Sequence, residues 1–193
     1  YKAIFFDSYG VLKNSDGLID GVGETLRYLR EEGIEYFVLT NDASRGPKAL
    51  AQKFIDKGLL EVEPDDIISS GMMAKEYLEY KVKDGRVAYL GTEDSAHYIE
   101  EAGVETVAVG DIDFNHLRDI NAMVFLDDEG FDWNTDISKT VNLLRKRNIP
   151  GAVANTDKVY PGSNMNVNVA IGGLAVMIEN IVGKRFLRFG KPD

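Results

Sequence analysis

The chain has 193 residues, of which 44% are hydrophobic and 28% charged, with a formal net charge of −10 and no cysteine. That length suits one generous domain or a core with an insertion, and the absence of cysteine excludes disulfides and thiolate metal sites. The negative balance argues against a nucleic-acid partner, because phosphate backbones would be repelled overall. A small anion stays compatible with it, since a local cation or a helix N-terminus acts at short range. No apolar run approaches a membrane span and no signal peptide is visible, so no membrane partner and a cytoplasmic location are expected. The sequence opens without Met and stops at Gly190-Lys191-Pro192-Asp193; it is expected to be part of a longer chain.

Strand-type and helix-type runs alternate along the sequence, which points to a parallel α/β sheet. Lys2-Ala3-Ile4-Phe5-Phe6 is apolar with little alternation, as expected of a central strand covered on both faces. Val22, Leu26 and Leu29 recur at helical spacing, and Gly33 stops that helix. Tyr36-Phe37-Val38-Leu39 predicts the next buried strand. Pro47 opens a helix whose apolar face is Leu50, Phe54 and Ile55. Ile67-Ile68 is a third strand, followed by a helix bearing Met73 and Tyr77. Near residue 80 the texture changes: Lys81 to Gly85 is charged and turn-prone, and a new strand series begins at Val87–Gly91. Val107–Val109, Ala122–Leu126 and Ala152–Ala154 continue it, with a helix from about Asp136 to Arg147. A last helix over roughly 170–182 leads to a strand at Phe186–Phe189.

The chemistry sits at strand ends. Asp7 follows the first strand and precedes Ser8-Tyr9-Gly10, and ligands of parallel sheets bind beyond the carboxyl ends of strands. A carboxylate there can ligate Mg²⁺ or attack phosphorus in line; it can equally cap a turn. Gly10 lets the following N–H groups approach an anion. Thr40 and Asn41 close the adjacent strand and can hold phosphoryl oxygens, or cap the Pro47 helix. Lys191 follows the Phe186–Phe189 run, where it would pair Asp7 and neutralise charge on a transferring phosphoryl group. Asp, Thr and Lys are thus expected on three successive strand ends of one core sheet. His97 and His116, in helix-like segments, read as surface or packing residues. Trp133, beside Phe131 and Asp132, reads as a core residue.

These motifs resemble the haloacid dehalogenase-like superfamily, in particular its class IIA branch of nitrophenyl-, sugar- and pyridoxal-phosphate phosphatases. Phe5-Phe6-Asp7-Ser8-Tyr9-Gly10-Val11 is similar to the first family motif and Val38-Leu39-Thr40-Asn41-Asp42-Ala43-Ser44-Arg45 to the second. Phe189-Gly190-Lys191-Pro192 is similar to the third. The resemblance implies a Rossmann-like parallel-sheet core, residues 1–79 and 166–193, with an inserted α/β cap domain, residues 80–165. It implies Asp7 as nucleophile with Lys191 beside it, Thr40 and Asn41 on the phosphate, and small phosphorylated metabolites as substrates. Mg²⁺ would be held by Asp7 and the backbone carbonyl of Tyr9, with further acidic ligands expected beyond residue 193. Asn155 and Asp157 are carried over as substrate-side residues of the cap, against an Asx turn as the local alternative. Self-association as a homodimer through the cap is also implied.

One departure from the family matters. Its phosphatases carry a second Asp two residues after the nucleophile, as acid and then base; here Tyr9 stands there. A phenol ordinarily ionises near pH ~10 and is a poor base at neutral pH, and loss of acid–base help costs about 10²–10⁴-fold in rate. Asp42 is one candidate to supply the proton instead. The alternatives are a catalytically silent protein that binds a phosphorylated ligand, and, less favoured, a dehalogenase, whose halide leaves without a proton. A phospho-receiver is disfavoured because the acceptor Asp follows the first strand.

Overall fold

The computed structural model describes residues 2–14, 17–162 and 166–192. β1 (Ala3–Asp7) leads through a turn to α1 (Val22–Glu31), then β2 (Glu35–Thr40), α2 (Pro47–Ile55), β3 (Ile67–Ser69) and α3 (Ser70–Lys81). Val22, Leu26 and Leu29 are the buried face of α1, as their spacing dictates. The helix stops at a left-handed Gly33, φ +66°, where Ile34 N–H bonds Leu29 O and Gly33 N–H bonds Arg30 O; this is a Schellman closure that satisfies the last carbonyls. Pro47 opens α2, whose missing N–H costs nothing in the first turn.

The second half comprises β4 (Arg86–Leu90), α4 (Glu93–Glu100), β5 (Glu105–Ala108), β6 (Ile120–Phe125), α5 (Asp136–Lys146) and β7 (Gly151–Val153). It ends with the hairpin β8 (Val159–Pro161) and β9 (Val167–Val169), α6 (Ile171–Val182) and β10 (Leu187–Arg188). Two parallel sheets result, one ordered β1-β2-β3 and one ordered β10-β7-β6-β4-β5, beside the antiparallel pair β8-β9. The first sheet packs its core, including Tyr36, Val38 and Ile67, against Leu26, Leu29, Leu50 and Phe54 of α1 and α2. The second is covered on both faces, by α5 and α6 on one side and by α3 and α4 on the other. Its strands β4 and β6 are accordingly continuous apolar runs from Val87 and Ala122 onward rather than alternating.

Several expectations are corrected. Phe5 of β1, 55% exposed, stacks on Phe37 with ring centroids 5.5 Å apart, and β2 is the strand paired with β1 among the described residues. The strand before Lys191 does not join the first sheet: Leu187 pairs Ala152 and Arg188 pairs Val153 of β7. Phe186 stacks on Phe125 at 5.1 Å inside the second core, and this aromatic anchor draws the segment to that sheet. Asp7 and Thr40 therefore end strands of one sheet, while Lys191 follows a strand of the other. Trp133 is exposed rather than in the core; it stacks on Phe131 and donates its indole N–H to Asp128 O at 3.2 Å. His97 lies on α4 as expected, whereas His116 sits in a turn and pairs with Asp113.

The approach to Lys191 is held by a buried acid. Glu179 of α6, 3% exposed, accepts the Phe186 N–H at 2.6 Å and two Arg188 N–H groups at 3.0 and 2.5 Å. Burial alone would raise its pKa, but Arg188 and the Phe186 N–H outweigh it and hold the carboxyl below its ordinary range. This stabilisation is present above the ordinary glutamate range and is lost as pH falls through the lowered value. Glu179→Ala is expected to lower unfolding stability by about 3 kcal/mol in urea titration, because the buried Phe186 N–H and two Arg188 N–H groups lose their charged acceptor.

Candidate active site

The carboxyl ends of β1 and β2 face the ends of β6 and β7 across a cleft of about 690 Å³, lined by Asp7, Thr40, Asn41, Asn155, Asp157 and Lys191 among others. Register explains why the first three meet: Asp7 pairs Leu39 and Thr40 pairs Ser69, so all three strands of the first sheet end at one level. Lys191 reaches back from the second sheet. Its ammonium donates to Asp7 Oδ1 at 2.5 Å and to Leu39 O at 2.9 Å. Asp7 Oδ1 also accepts the Ser8 N–H at 2.7 Å, which orients the carboxylate and leaves Oδ2 without a protein donor among the described residues. Among the described residues the Tyr9 carbonyl accepts no backbone bond either, since the turn bonds there run from Lys13 N–H to Ser8 O and from Gly10 N–H to Lys13 O.

Asn41 does something other than the expected phosphate contact. Its side-chain oxygen accepts the Lys191 N–H at 2.8 Å, and its NH₂ donates to Lys191 O and Asp157 Oδ1, each at 2.9 Å. With the residue buried, this amide is fully engaged as a clamp between the two sheets. Gly190 permits it: at φ +121°, a Cβ there would lie 2.7 Å from Asn41 Oδ1. The Thr156 hydroxyl adds a second bond to Lys191 O at 2.7 Å. Asn155 makes the Asx turn, accepting the Asp157 N–H at 2.9 Å, and so shapes the loop that offers Asp157 to Asn41. The first turn of α6 presses on that loop, where a Cβ at Gly172 would meet Asp157 O at 2.5 Å.

Thr40 lines the cleft, and its Oγ1 accepts the Asp42 N–H at 3.1 Å, which leaves the hydroxyl proton available to donate. Asp42 organises the following loop, accepting the Ser44 N–H at 3.0 Å and hydroxyl at 2.6 Å, with Lys53 Nζ 3.9 Å from its other oxygen. It serves as an acceptor here, which does not suit the proton-donating role foreseen for it. Lys13, Arg45 and Lys53 line the same side. Burial lowers the Lys13 pKa, opposed by Asp42 and assisted by the neighbouring cations.

The opposite wall was missed in the sequence. Asp127, Asp128 and Glu129 follow β6 directly and line the cleft with Tyr160, whose hydroxyl donates to Asp128 Oδ2 at 3.0 Å. The strand-end rule that nominates Asp7 applies equally to Asp127 after Ala122–Leu126. Burial, reinforced by Asp128, pushes the Asp127 carboxyl up to about 6. Burial also raises Asp128, against the Tyr160 hydrogen bond.

Residues 4–105 match the family of haloacid dehalogenase-like hydrolases. A crystal structure described as a possible sugar phosphatase of that superfamily, from Cytophaga hutchinsonii, is 53% identical with a TM-score of 0.95, covering 100% of this chain and 68% of that one. Phosphoglycolate phosphatase 2 of Arabidopsis thaliana is 33% identical over 100 residues, 51% of this chain and 33% of that protein. A Mycobacterium tuberculosis glycerol phosphate phosphatase solved with magnesium is 20% identical, TM-score 0.83, covering 100% of this chain and 55% of that one. The chain belongs to the haloacid dehalogenase-like hydrolases. It spans about a third of the length of the Arabidopsis relative. No helix among the described residues is long and apolar enough to cross a membrane.

Two outcomes test this geometry. Asn41→Ala should cost about 1–3 kcal/mol in urea unfolding by orphaning the Lys191 N–H and its carbonyl. Asp127→Asn should raise the thermal midpoint at pH 8 and leave it unchanged at pH 3. An acid whose pKa is raised on folding is penalised only once pH climbs through that range. After allowance for solvent screening the gain is roughly 1 kcal/mol, or about 2–4 °C.

Proposed function

We propose that the protein is a Mg²⁺-dependent phosphatase that hydrolyses small phosphate monoesters, of sugar or aryl type, through an aspartyl-phosphate on Asp7. The observation that carries this reading is the 2.5 Å contact of Lys191 Nζ with Asp7 Oδ1 at the mouth of the cleft, with the Thr40 hydroxyl at the adjacent strand end. Asp7 attacks phosphorus, Lys191 offsets the charge that gathers on the phosphoryl oxygens, and Thr40 donates to one of them. The names of the Cytophaga, Arabidopsis and mycobacterial relatives support a phosphate ester as substrate. In this reading the three-stranded sheet belongs to the catalytic core, and the five-stranded unit with the β8-β9 hairpin serves as the cap, which takes α6 and β10 from the expected core segment 166–193 because both pack with that sheet; the cap excludes water and selects the leaving group.

The free Oδ2 of Asp7 and the Tyr9 carbonyl are the donors that would hold Mg²⁺. Two protein oxygens are part of the ligand set such a metal needs beside its waters and substrate phosphate, and no group of three acidic, His or Cys side chains converges among the described residues. When bound, Mg²⁺ supplies charge neutralisation at the phosphoryl oxygens.

A second reading, a phospho-ligand-binding protein on the same scaffold, is favoured by the Tyr9 side chain, which lines the cleft where the family's phosphatases carry an acid. Phosphate release from p-nitrophenyl phosphate separates the two. The phosphatase reading expects turnover that falls at least 10²-fold with EDTA and at least 10³-fold in Asp7→Asn. Binding of phosphate without any turnover on aryl or sugar phosphates would favour the binding protein.

A further inference from the structure

We propose that Asp127 is the proton carrier of this cleft: it protonates the leaving oxygen of the ester and then accepts a proton from the water that hydrolyses the aspartyl-phosphate. The inference rests on the phosphatase reading above and assigns a catalytic role to a residue of the second sheet.

An alkoxide is too basic to leave unprotonated, so hydrolysis of an alkyl phosphate needs an acid in the cleft. The other candidates are engaged or unsuited. Neither histidine lines the cleft. The Tyr9 side chain is 40% exposed at the cleft. Lys191 is bound to Asp7 and Leu39 O. Asp42 is held by Ser44 beside Lys53, Asp157 accepts from Asn41, and Asp128 accepts from Tyr160. Glu129 is exposed at the rim.

Asp127 differs from all of these. It stands just past the end of β6, with its backbone N–H directed to Leu90 O. One carboxylate oxygen accepts the Asp128 N–H at 2.8 Å, and no cation lies within ion-pair distance of it among the described residues. The charges that face it are Asp128 and Glu129 on its own loop and Asp42 across the cleft, all of like sign. A carboxyl poised at about 6 can both give and take a proton near neutral pH, which is what a group serving as acid and then base requires.

The balance closes as follows. An Asp7 oxygen bonds to phosphorus while the bond from phosphorus to the alcohol oxygen breaks; that oxygen keeps the electron pair, takes the Asp127 proton and departs as the alcohol. Water then attacks the phosphorus and gives a proton to the Asp127 carboxylate. The bond from phosphorus to Asp7 breaks, which leaves inorganic phosphate, free Asp7 carboxylate and protonated Asp127.

The test compares the full-length protein with Asp127→Asn on glycerol phosphate and on p-nitrophenyl phosphate, from pH 5 to 9 with Mg²⁺. The variant should lose about 10²–10⁴-fold in kcat on glycerol phosphate, together with the limb of the pH profile near 6. With p-nitrophenyl phosphate, whose phenolate leaves without a proton, it should release one nitrophenolate per enzyme rapidly and then turn over slowly. Asp127→Glu should recover part of the loss. The thermal midpoint of Asp127→Asn shows that the variant is folded. Equal kcat for the two proteins on both esters, with no burst and the same pH profile, would overturn the proposal and leave the phosphatase reading intact. No turnover by the wild type on either ester would overturn both.

Discussion

The ion pair between Lys191 and Asp7 joins residues 184 positions apart and brings the ends of two separate sheets to a single point. Its side chains are 39% and 52% exposed, so as a stabilising contact it is worth little. What holds it in place is the polar seam behind it. Asn41, buried between the sheets, grips both the N–H and the carbonyl of Lys191, and Thr156 takes the same carbonyl. A lysine side chain is flexible, but its backbone here is not. With that anchor fixed and the ammonium already bonded to Asp7 Oδ1 and Leu39 O, the charge is in place beforehand, which is the condition for electrostatic stabilisation without reorganisation.

The two walls of the cleft carry opposite charge. Lys13, Arg45, Lys53 and Lys191 belong to the side of Asp7, where phosphoryl oxygens would sit. Asp127, Asp128 and Glu129 belong to the side contributed by β6. This polarity reconciles a chain of net charge −10 with an anionic substrate: the overall field is repulsive at a distance, but within a Debye length the local cations dominate. It also explains the raised carboxyl of Asp127. A strand end in a crowded cleft desolvates the group, and the nearest charges are acids instead of cations, so both effects favour the neutral form.

Function and stability pull against each other at this wall. An acid kept partly neutral by burial and like charges is a cost to the folded state at neutral pH. The same cost makes the group able to exchange protons there. The buried Glu179 shows the opposite solution. Given Arg188 and a backbone N–H as partners, it is held ionised, and it stabilises the turn from α6 into β10 that delivers Lys191.

The sequence by itself determined the parts that local periodicity and strand-end chemistry control. The apolar runs at Ile4–Phe6 and Phe37–Leu39, the helical spacing of Val22, Leu26 and Leu29, and the placing of Asp7, Thr40 and Lys191 after apolar runs were all legible, because each depends on near neighbours in the chain. Only the tertiary structure decided which sheet β10 joins, since that follows from Phe186 packing on Phe125 and pairing with β7. It likewise engaged the Asn41 side chain as a clamp on Lys191 and set Asp127 in the same cleft as Asp7. Those outcomes depend on pairings and burial between residues far apart in the chain, and no spacing within a single segment encodes them.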